Sequence, residues 1–519
     1  WAQNPGSVGS NHPPSVAQTV ETFFAMALPH LLLKQSTELQ DEAKLDKYIQ
    51  VQHQVRKLKV CCVSIPEAGH LVPTVQVAKA LARRGHESYL VTMDSAASKF
   101  AKGCQAVNCH FRGLVKGLAG SDAGHGPLAE LMSKGLMVQA FEQYAHLMHQ
   151  ELLDFLRKEG PFDVVVADFA TSSGFQVAEE LKIPCILNVP GPLELFKNLN
   201  FAFMIPFLAA VFVASRSFVE TKLTYNMFSR LIPALKSHVC LVNSFYGLDM
   251  PCALPPNIIV TGSTAPRSNQ EGLKTSDEKM NEWLQQIRAE GLRIVYVTMG
   301  SMQILEQFQL EALFNGLMSL KPKVAVAWSL KEEQHEQIPG GRASLPPHFF
   351  VQKWLPQGEA LQLPEVAAVV THCGFGGLNE TIAAGKPMVA LPFRADQPAN
   401  AKLAKERGLA EVLEPKKLTA ARVKSALEKV LENSSYAARA KELQGMMLKT
   451  KGAEACVEAI EHFVENDGSH ELFLRSPARF SFAWMKPLGL VLLGAAGATY
   501  LLRKYKNVEP GSLVGWHKV

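Results

Sequence analysis

KLKVCCVSIPEAGHLVPTVQVAKALARRGHESYLVTMD, residues 57–94, decides the fold class. A short apolar run is followed by a loop holding Gly69, then by an amphipathic helical pattern that stops at Arg83, Arg84 and Gly85, then by a second apolar run. The change from a continuous apolar stretch to a helical period and back marks a βαβ unit, which needs a parallel sheet to close on. Apolar runs followed by helical patterns recur at 163–167, 185–189, 239–243 and 258–260, and a second series follows at 293–298, 324–330, 349–353, 367–371 and 388–391. The expected architecture is α/β, with two doubly wound, Rossmann-like domains facing each other. Ligands are expected in the cleft, at the carboxyl ends of the strands.

Expected domain limits follow. Residues 57–260 form the first domain, 261–290 the linker, whose start is rich in Gly, Ser, Pro and charge, and 291–465 the second domain. Residues 1–56 precede the first strong periodicity and open on Trp1, so they are read as an extension that is incomplete or partly untranslated, with Met26 as a candidate start. The apolar stretch at 23–33 lacks a basic flank and holds Pro29 and His30, which argues against a signal peptide. Residues 480–502 carry one charge, Lys486, and end on a basic stop, and about 20 apolar residues span a bilayer. They are read as a transmembrane helix, with 503–519 as a basic tail. A shorter apolar run at 201–214, interrupted by Pro206, is read as a pocket wall or a lipid-touching surface.

Composition narrows the function. The 519 residues are 47% hydrophobic and 19% charged, as in a folded globular chain, and the net charge of +5 comes without a dense basic block, which excludes a nucleic-acid partner. The 9 cysteines are scattered without a C-x-x-C pair, so they read as buried free thiols rather than a disulfide framework or zinc site.

Chemistry concentrates in WLPQGEALQLPEVAAVVTHCGFGGLNETIAAGKPMVALPFRADQ, residues 354–397. Trp354 offers a flat face for a nucleobase, with Gln357 close behind. Gly374, Gly376 and Gly377 follow the strand ending at Thr371 and lead into a helix expected from 379 to 384, so free N–H groups at a helix N-terminus can cradle a diphosphate. His372 can add a donor to a phosphate oxygen, and Glu380, expected in the first helical turn, can accept from the two hydroxyls of a ribose. Asp396 and Gln397 can grip adjacent sugar hydroxyls. In the first half, His70 follows Gly69 at the end of the first strand, and Asp168 ends a buried strand in VVVADF; a carboxylate on imidazole fixes its tautomer and stabilises the imidazolium.

The order Trp-x-Pro-Gln, Thr-His-Cys-Gly, Glu, Gly-x-Pro-Met, Asp-Gln resembles the signature box of UDP-dependent glycosyltransferases, the inverting enzymes of the GT-B fold, and the likeness extends in weaker form over 57–465. The resemblance implies a UDP-sugar donor held by the second domain, with Gly300 and Ser301 of VYVTMGSM on the phosphates, and His70 as general base with Asp168 behind it. It implies no cofactor, and no D-x-D metal motif is needed because the helix N-terminus and His372 can stabilise the diphosphate charge. Two departures stand out: Phe375, Gly376 and Gly377 where plant members carry Trp-Asn-Ser, and Arg394 where many carry Trp. Arg394 leaves room for an acidic sugar, but Gln397 favours UDP-glucose.

The expected function is hexosyl transfer from a UDP-sugar to a hydroxyl of a small lipophilic acceptor. Rivals are a catalytically silent UDP-sugar-binding membrane protein, disfavoured by retention of both His70 and Asp168, and a UDP-sugar epimerase of similar fold, disfavoured by the apolar acceptor-like run. The protein is expected to be single-pass in an endomembrane or organelle outer membrane. A span so near the chain end suits a tail anchor, and the sequon Asn379-Glu380-Thr381 lies inside the donor site, so the catalytic domains are expected in the cytosol.

Overall fold

The computed structural model describes residues 56–116, 131, 137–193, 196, 218–265, 274–300, 303–320 and 324–466. Ser301, the apolar run 201–214, the expected membrane helix 480–502, the tail 503–519 and nearly all of the extension 1–56 lie outside the described residues. Among the described residues no helix is long and apolar enough to cross a membrane.

Among the described residues thirteen strands build two sheets, and every pairing between them is parallel. The first sheet contains β1 (Lys59–Val63), β2 (Glu87–Met93), β3 (His110–Leu114), β4 (Val164–Asp168), β5 (Cys185–Val189), β6 (Val239–Val242) and β7 (Ile258–Val260), in the order β3-β2-β1-β4-β5-β6-β7. The second contains β8 (Ile294–Thr298), β9 (Ala325–Ser329), β10 (Phe349–Gln352), β11 (Val366–Thr371), β12 (Met388–Ala390) and β13 (Ala410–Val412), in the order β10-β9-β8-β11-β12-β13. The two doubly wound sheets are as expected. Both reverse strand order once, between β1 and β4 and between β8 and β11, and a crevice opens at such a switch point.

Helices cover both faces of each sheet, which is why the strands read as continuous apolar runs rather than alternating ones. Along β1, Cys61 and Val63 face one apolar cluster and Val60 and Cys62 the other. In β8 the same alternation sends Ile294 and Tyr296 to one side and Val295 and Val297 to the other. Fully burying such a side chain contributes roughly 1.5–3 kcal/mol, so the central strands anchor the loops that leave them.

Two strands escaped the sequence reading. β3 carries His110 and Arg112 and exposes much of its length, and β13 is a three-residue edge. Neither has the apolar density that marks a central strand. The final described helix, Ala453–Glu465, follows the second sheet in sequence but places Cys456, Val457, Ile460 and Phe463 in the apolar cluster of Leu71 and Val75 on the first sheet's side. His86 Nε2 meets Glu461 Oε1 at 2.9 Å, and Arg84 reaches the other carboxylate oxygen at 2.9 Å. All nine cysteines are free, and all but Cys252 are buried, as the spacing suggested.

Candidate active site

The loop after β1 and the end of β4 bring the first pair of functional side chains to the first switch point. The helix Ala68–Arg83 begins directly behind the β1 loop, so His70 sits in its first turn. Its Nδ1 lies 2.9 Å from Oδ1 of Asp168, the last residue of β4 and fully buried. The carboxylate accepts, so Nδ1 carries the proton and Nε2 keeps a lone pair. Asp168 Oδ2 accepts from the Ala170 N–H at 3.2 Å and from Thr171 Oγ1 at 2.9 Å, and Thr171 Oγ1 in turn accepts from the Ile65 N–H at 2.9 Å. Hydrogen bonds therefore fix the carboxylate on both oxygens. The rings of Phe141 and Phe169 flank the imidazole at 5.5 and 5.4 Å between centroids. Burial alone would push His70 down, but Asp168, with Glu67 and Asp396, outweighs it and holds the imidazole above its ordinary value. Asp396 belongs to the second sheet's side, and the helix Ala68–Arg83 packs against the helix Phe375–Ala383, so the two switch points approach each other.

The second switch point is built from small residues. Gly300 follows β8 with a φ of +70°, and a Cβ there would lie 2.6 Å from His372 Cε1 and 2.7 Å from Nε2. A Cβ on Gly374 would lie 2.7 Å from the same Nε2. The imidazole of His372, just past β11, is thus held between two glycines that cannot be enlarged without moving it. Its Nδ1 is buried with no hydrogen-bond partner among the described residues. Burial, reinforced by Arg394 and opposed by Asp396, pushes the ring down to about 4, so it is neutral at physiological pH and offers one N–H rather than a charge.

The following helix spans Phe375–Ala383, four residues earlier than the expected start at 379. Glycines at 376 and 377 weaken intrinsic helix propensity, and the N-cap, Gly374, has no side chain to cap with. The cap comes from elsewhere: Asp396 Oδ2 accepts from the Phe375 N–H at 3.2 Å. With the helix starting there, the N–H groups of Gly376 and Gly377 fall in its first turn and meet no acceptor among the described residues. Glu380 moves from the first turn to the second. Its carboxyl is raised by burial, an effect opposed by the Gln357 amide that donates to it. Gln357 opens the short helix Gln357–Ala360 just behind Trp354, a residue that is 65% exposed. Gln357 thus links the short helix behind the exposed Trp354 to the buried Glu380 on the helix Phe375–Ala383. Asn379 is buried and its amide donates to Phe375 O at 2.9 Å, so the sequon has no accessible nitrogen in the folded chain.

Asp396 and Gln397 stand at the start of the helix Gln397–Glu406. Both are already half engaged: Asp396 Oδ2 also accepts from Asn400 Nδ2 at 2.6 Å, and Gln397 Oε1 accepts from the N–H groups of Phe393 and Arg394 at 2.9 and 3.1 Å. What Gln397 can still offer a ligand is its NH₂ group. Arg394 donates to Gln303 Oε1 at 3.3 Å.

Sequence reasoning missed several members of this site. Thr171 stands three residues after Asp168, a spacing at which a hydroxyl returns to a carboxylate, so a signal was present. Asn400 is one helical turn from Asp396, a second readable spacing. Glu67, which accepts from Tyr144 Oη at 2.7 Å, had no local signal, because its partner lies on the helix Met137–Glu159.

Residues 192–472, more than half of the chain, match the family described as UDP-glucoronosyl and UDP-glucosyl transferase. Among similar proteins, UDP-glucuronosyltransferase 2C1 of Oryctolagus cuniculus is 26% identical over 331 residues, covering 57% of this chain and 63% of its own length. UDP-glycosyltransferase 85A1 of Arabidopsis thaliana is 23% identical over 415 residues, covering 68% of this chain and 83% of its own. Two solved structures share the fold at 19% identity and a TM-score of 0.61. The glycotransferase of kitacinnamycin covers 78% of this chain and 99% of its own, and UDP-glucose: anthocyanidin 3-O-glucosyltransferase, solved in complex with UDP, covers 80% and 100%. The two parallel sheets are those of the GT-B arrangement, and with a family match spanning most of the second sheet and its site, the chain belongs to the UDP-glucuronosyl and UDP-glucosyl transferase family.

Proposed function

We propose that the chain transfers a hexosyl group from a UDP-sugar to a hydroxyl of a small lipophilic acceptor, with His70 as general base. The observation that carries this reading is the His70–Asp168 pair at one switch point, close enough to the glycine-lined helix N-terminus at the other for Asp396 to act on the imidazole. Asp168 holds the proton on Nδ1, so Nε2 can take the acceptor's proton as its oxygen attacks the anomeric carbon. UDP then leaves from the opposite face. Charge gathers on the departing diphosphate, where the N–H groups of Gly376 and Gly377, the helix dipole and the neutral His372 oppose it without a change of charge on the protein. Trp354 would stack on uracil, Glu380 would accept from the ribose, and Asp396 with the Gln397 NH₂ would meet the sugar. The aromatic walls at Phe141 and Phe169 favour an apolar acceptor.

In this reading the cradle meets the diphosphate with N–H donors and an imidazole whose Nδ1 has no partner among the described residues. The test supplies UDP-glucose, UDP-galactose and UDP-glucuronate in turn, with a panel of phenols, sterols and aliphatic alcohols, and reads products by mass spectrometry. A glycoside formed fastest from UDP-glucose is expected. UDP release without glycoside, or a changed sugar nucleotide in the absence of acceptor, overturns the reading in favour of a silent binder or an epimerase.

A further inference from the structure

Away from the catalytic cleft, the end of the helix Ala97–Gln105 brings two thiols together. The Cys109 N–H bonds to the Cys104 carbonyl at 3.0 Å and the Asn108 N–H to the Gln105 carbonyl at 3.0 Å, with Asn108 left-handed at a φ of +57°. These two bonds define a Schellman-type turn, in which the side chains of the residues joined by the longer bond meet across the cap. Here both are cysteines, and the Cys109 thiol donates to Ser88 Oγ at 3.9 Å, a bond that uses its proton. A Cα separation set by such a turn suits a disulfide. A cation completes the environment: Lys79, on the helix that carries His70, places Nζ 2.9 Å from where a Cβ on Gly103 would stand. The neighbouring Cys109 first, with Lys79 in support, holds the Cys104 thiol below its ordinary value against burial, whereas the neighbouring Cys104 and burial push Cys109 up. Both sulfurs are buried, but Gln105, Ala106 and Asn108 between them are exposed, so opening a single turn uncovers them.

We propose that Cys104 and Cys109 form a reversible redox pair, with Cys104 as the attacking thiolate and Cys109 as the resolving thiol, responsive to small-molecule disulfides such as oxidised glutathione. Cys104 attacks one sulfur of the small disulfide, forming a mixed disulfide and expelling one small thiolate, which takes up a proton. Cys109 then loses its proton and attacks the Cys104 sulfur, forming the Cys104–Cys109 bond and expelling the second small thiol. Two protein thiols are oxidised and one small disulfide is reduced to two thiols, so atoms and electrons balance. Burial instead pushes the Cys62, Cys185 and Cys456 thiols up.

The test incubates the full chain with oxidised glutathione, blocks free thiols by alkylation after quenching, and digests with trypsin. Cleavage after Lys102 and Arg112 leaves both cysteines on one peptide. The expected product is that peptide unalkylated and lighter by the two thiol hydrogens, restored by dithiothreitol, with two of the nine thiols lost in total. In the C109S variant the reaction should stop at a glutathione adduct on Cys104, and in C104S the adduct should be lost or slowed at least tenfold. Alkylation of both cysteines in the wild type, a bond from either one to Cys62 or Cys456, or an adduct on Cys109 that forms as fast in C104S, would overturn the proposal.

Discussion

The switch point between β1 and β4 and the one between β8 and β11 share one topology and differ in chemistry. The first presents charged side chains locked by hydrogen bonds: Asp168 with both oxygens engaged, His70 held on it, Glu67 beside it. The second is lined at its centre by backbone N–H groups, glycines pressed against a ring and an imidazole kept neutral by burial, with Asp396 capping the helix from outside. Two histidines, one at each switch point, therefore behave oppositely. A neighbouring carboxylate makes His70 the stronger base, and its absence from direct contact makes His372 a neutral donor. The lesson is that the doubly wound sheet supplies the place, and the first residues past each strand decide whether that place moves protons or binds charge.

The sharpest way to break this division is His70→Ala. Loss of the proposed general base should lower kcat by about 10²- to 10⁴-fold while leaving UDP affinity nearly intact. Near-normal turnover in steady-state kinetics would end the assignment, and a parallel loss of UDP binding would show that the two regions do not divide labour. On the other side, Trp354→Ala and Glu380→Ala should each weaken UDP binding by about 1–3 kcal/mol, the range for losing a base stack or a hydrogen bond to a charged group. Calorimetry showing unchanged affinity in both would remove the donor site from residues 354–397.

A smaller effect separates the glycines from the side chains. Gly300→Ala adds a Cβ 2.6 Å from the His372 ring at a left-handed backbone position, a conformation costing an L residue about 1–2 kcal/mol. UDP affinity should fall several-fold with the acid limb of the pH profile unmoved; an unchanged affinity would mean that His372 is free to shift. The mildest test concerns that limb. The base must be unprotonated, and His70 is held above the ordinary imidazole value, so kcat/KM should rise through a transition above that value as pH increases. Asp168→Asn removes the main cause and should move the transition to lower pH as well as slowing turnover. A transition that stays in place would detach the limb from His70.

How much of this was legible depended on how local each signal was. Asp168 and His372 stand at or just past strand ends that apolar runs announce, so their place in the fold could be read directly. The helix start at Phe375 could not, because two glycines argue locally against it and the cap that permits it, Asp396, arrives 21 residues later from another element. Glu67 and Tyr144 were invisible for the same reason: a hydrogen bond between distant segments leaves no period in either.

By itself, the sequence determined the succession of strands and helices, the division into two parallel sheets and the chemical types present at each strand end, since strand and helix periods are properties of neighbouring residues. Only the tertiary structure decided that the two switch points lie near enough for Asp396 to act on His70, that the helix Ala453–Glu465 crosses back to the first sheet through Glu461 and His86, and that one histidine is raised and the other lowered. Those outcomes rest on desolvation and on contacts between residues far apart in the chain, and neither quantity exists until the chain has closed on itself.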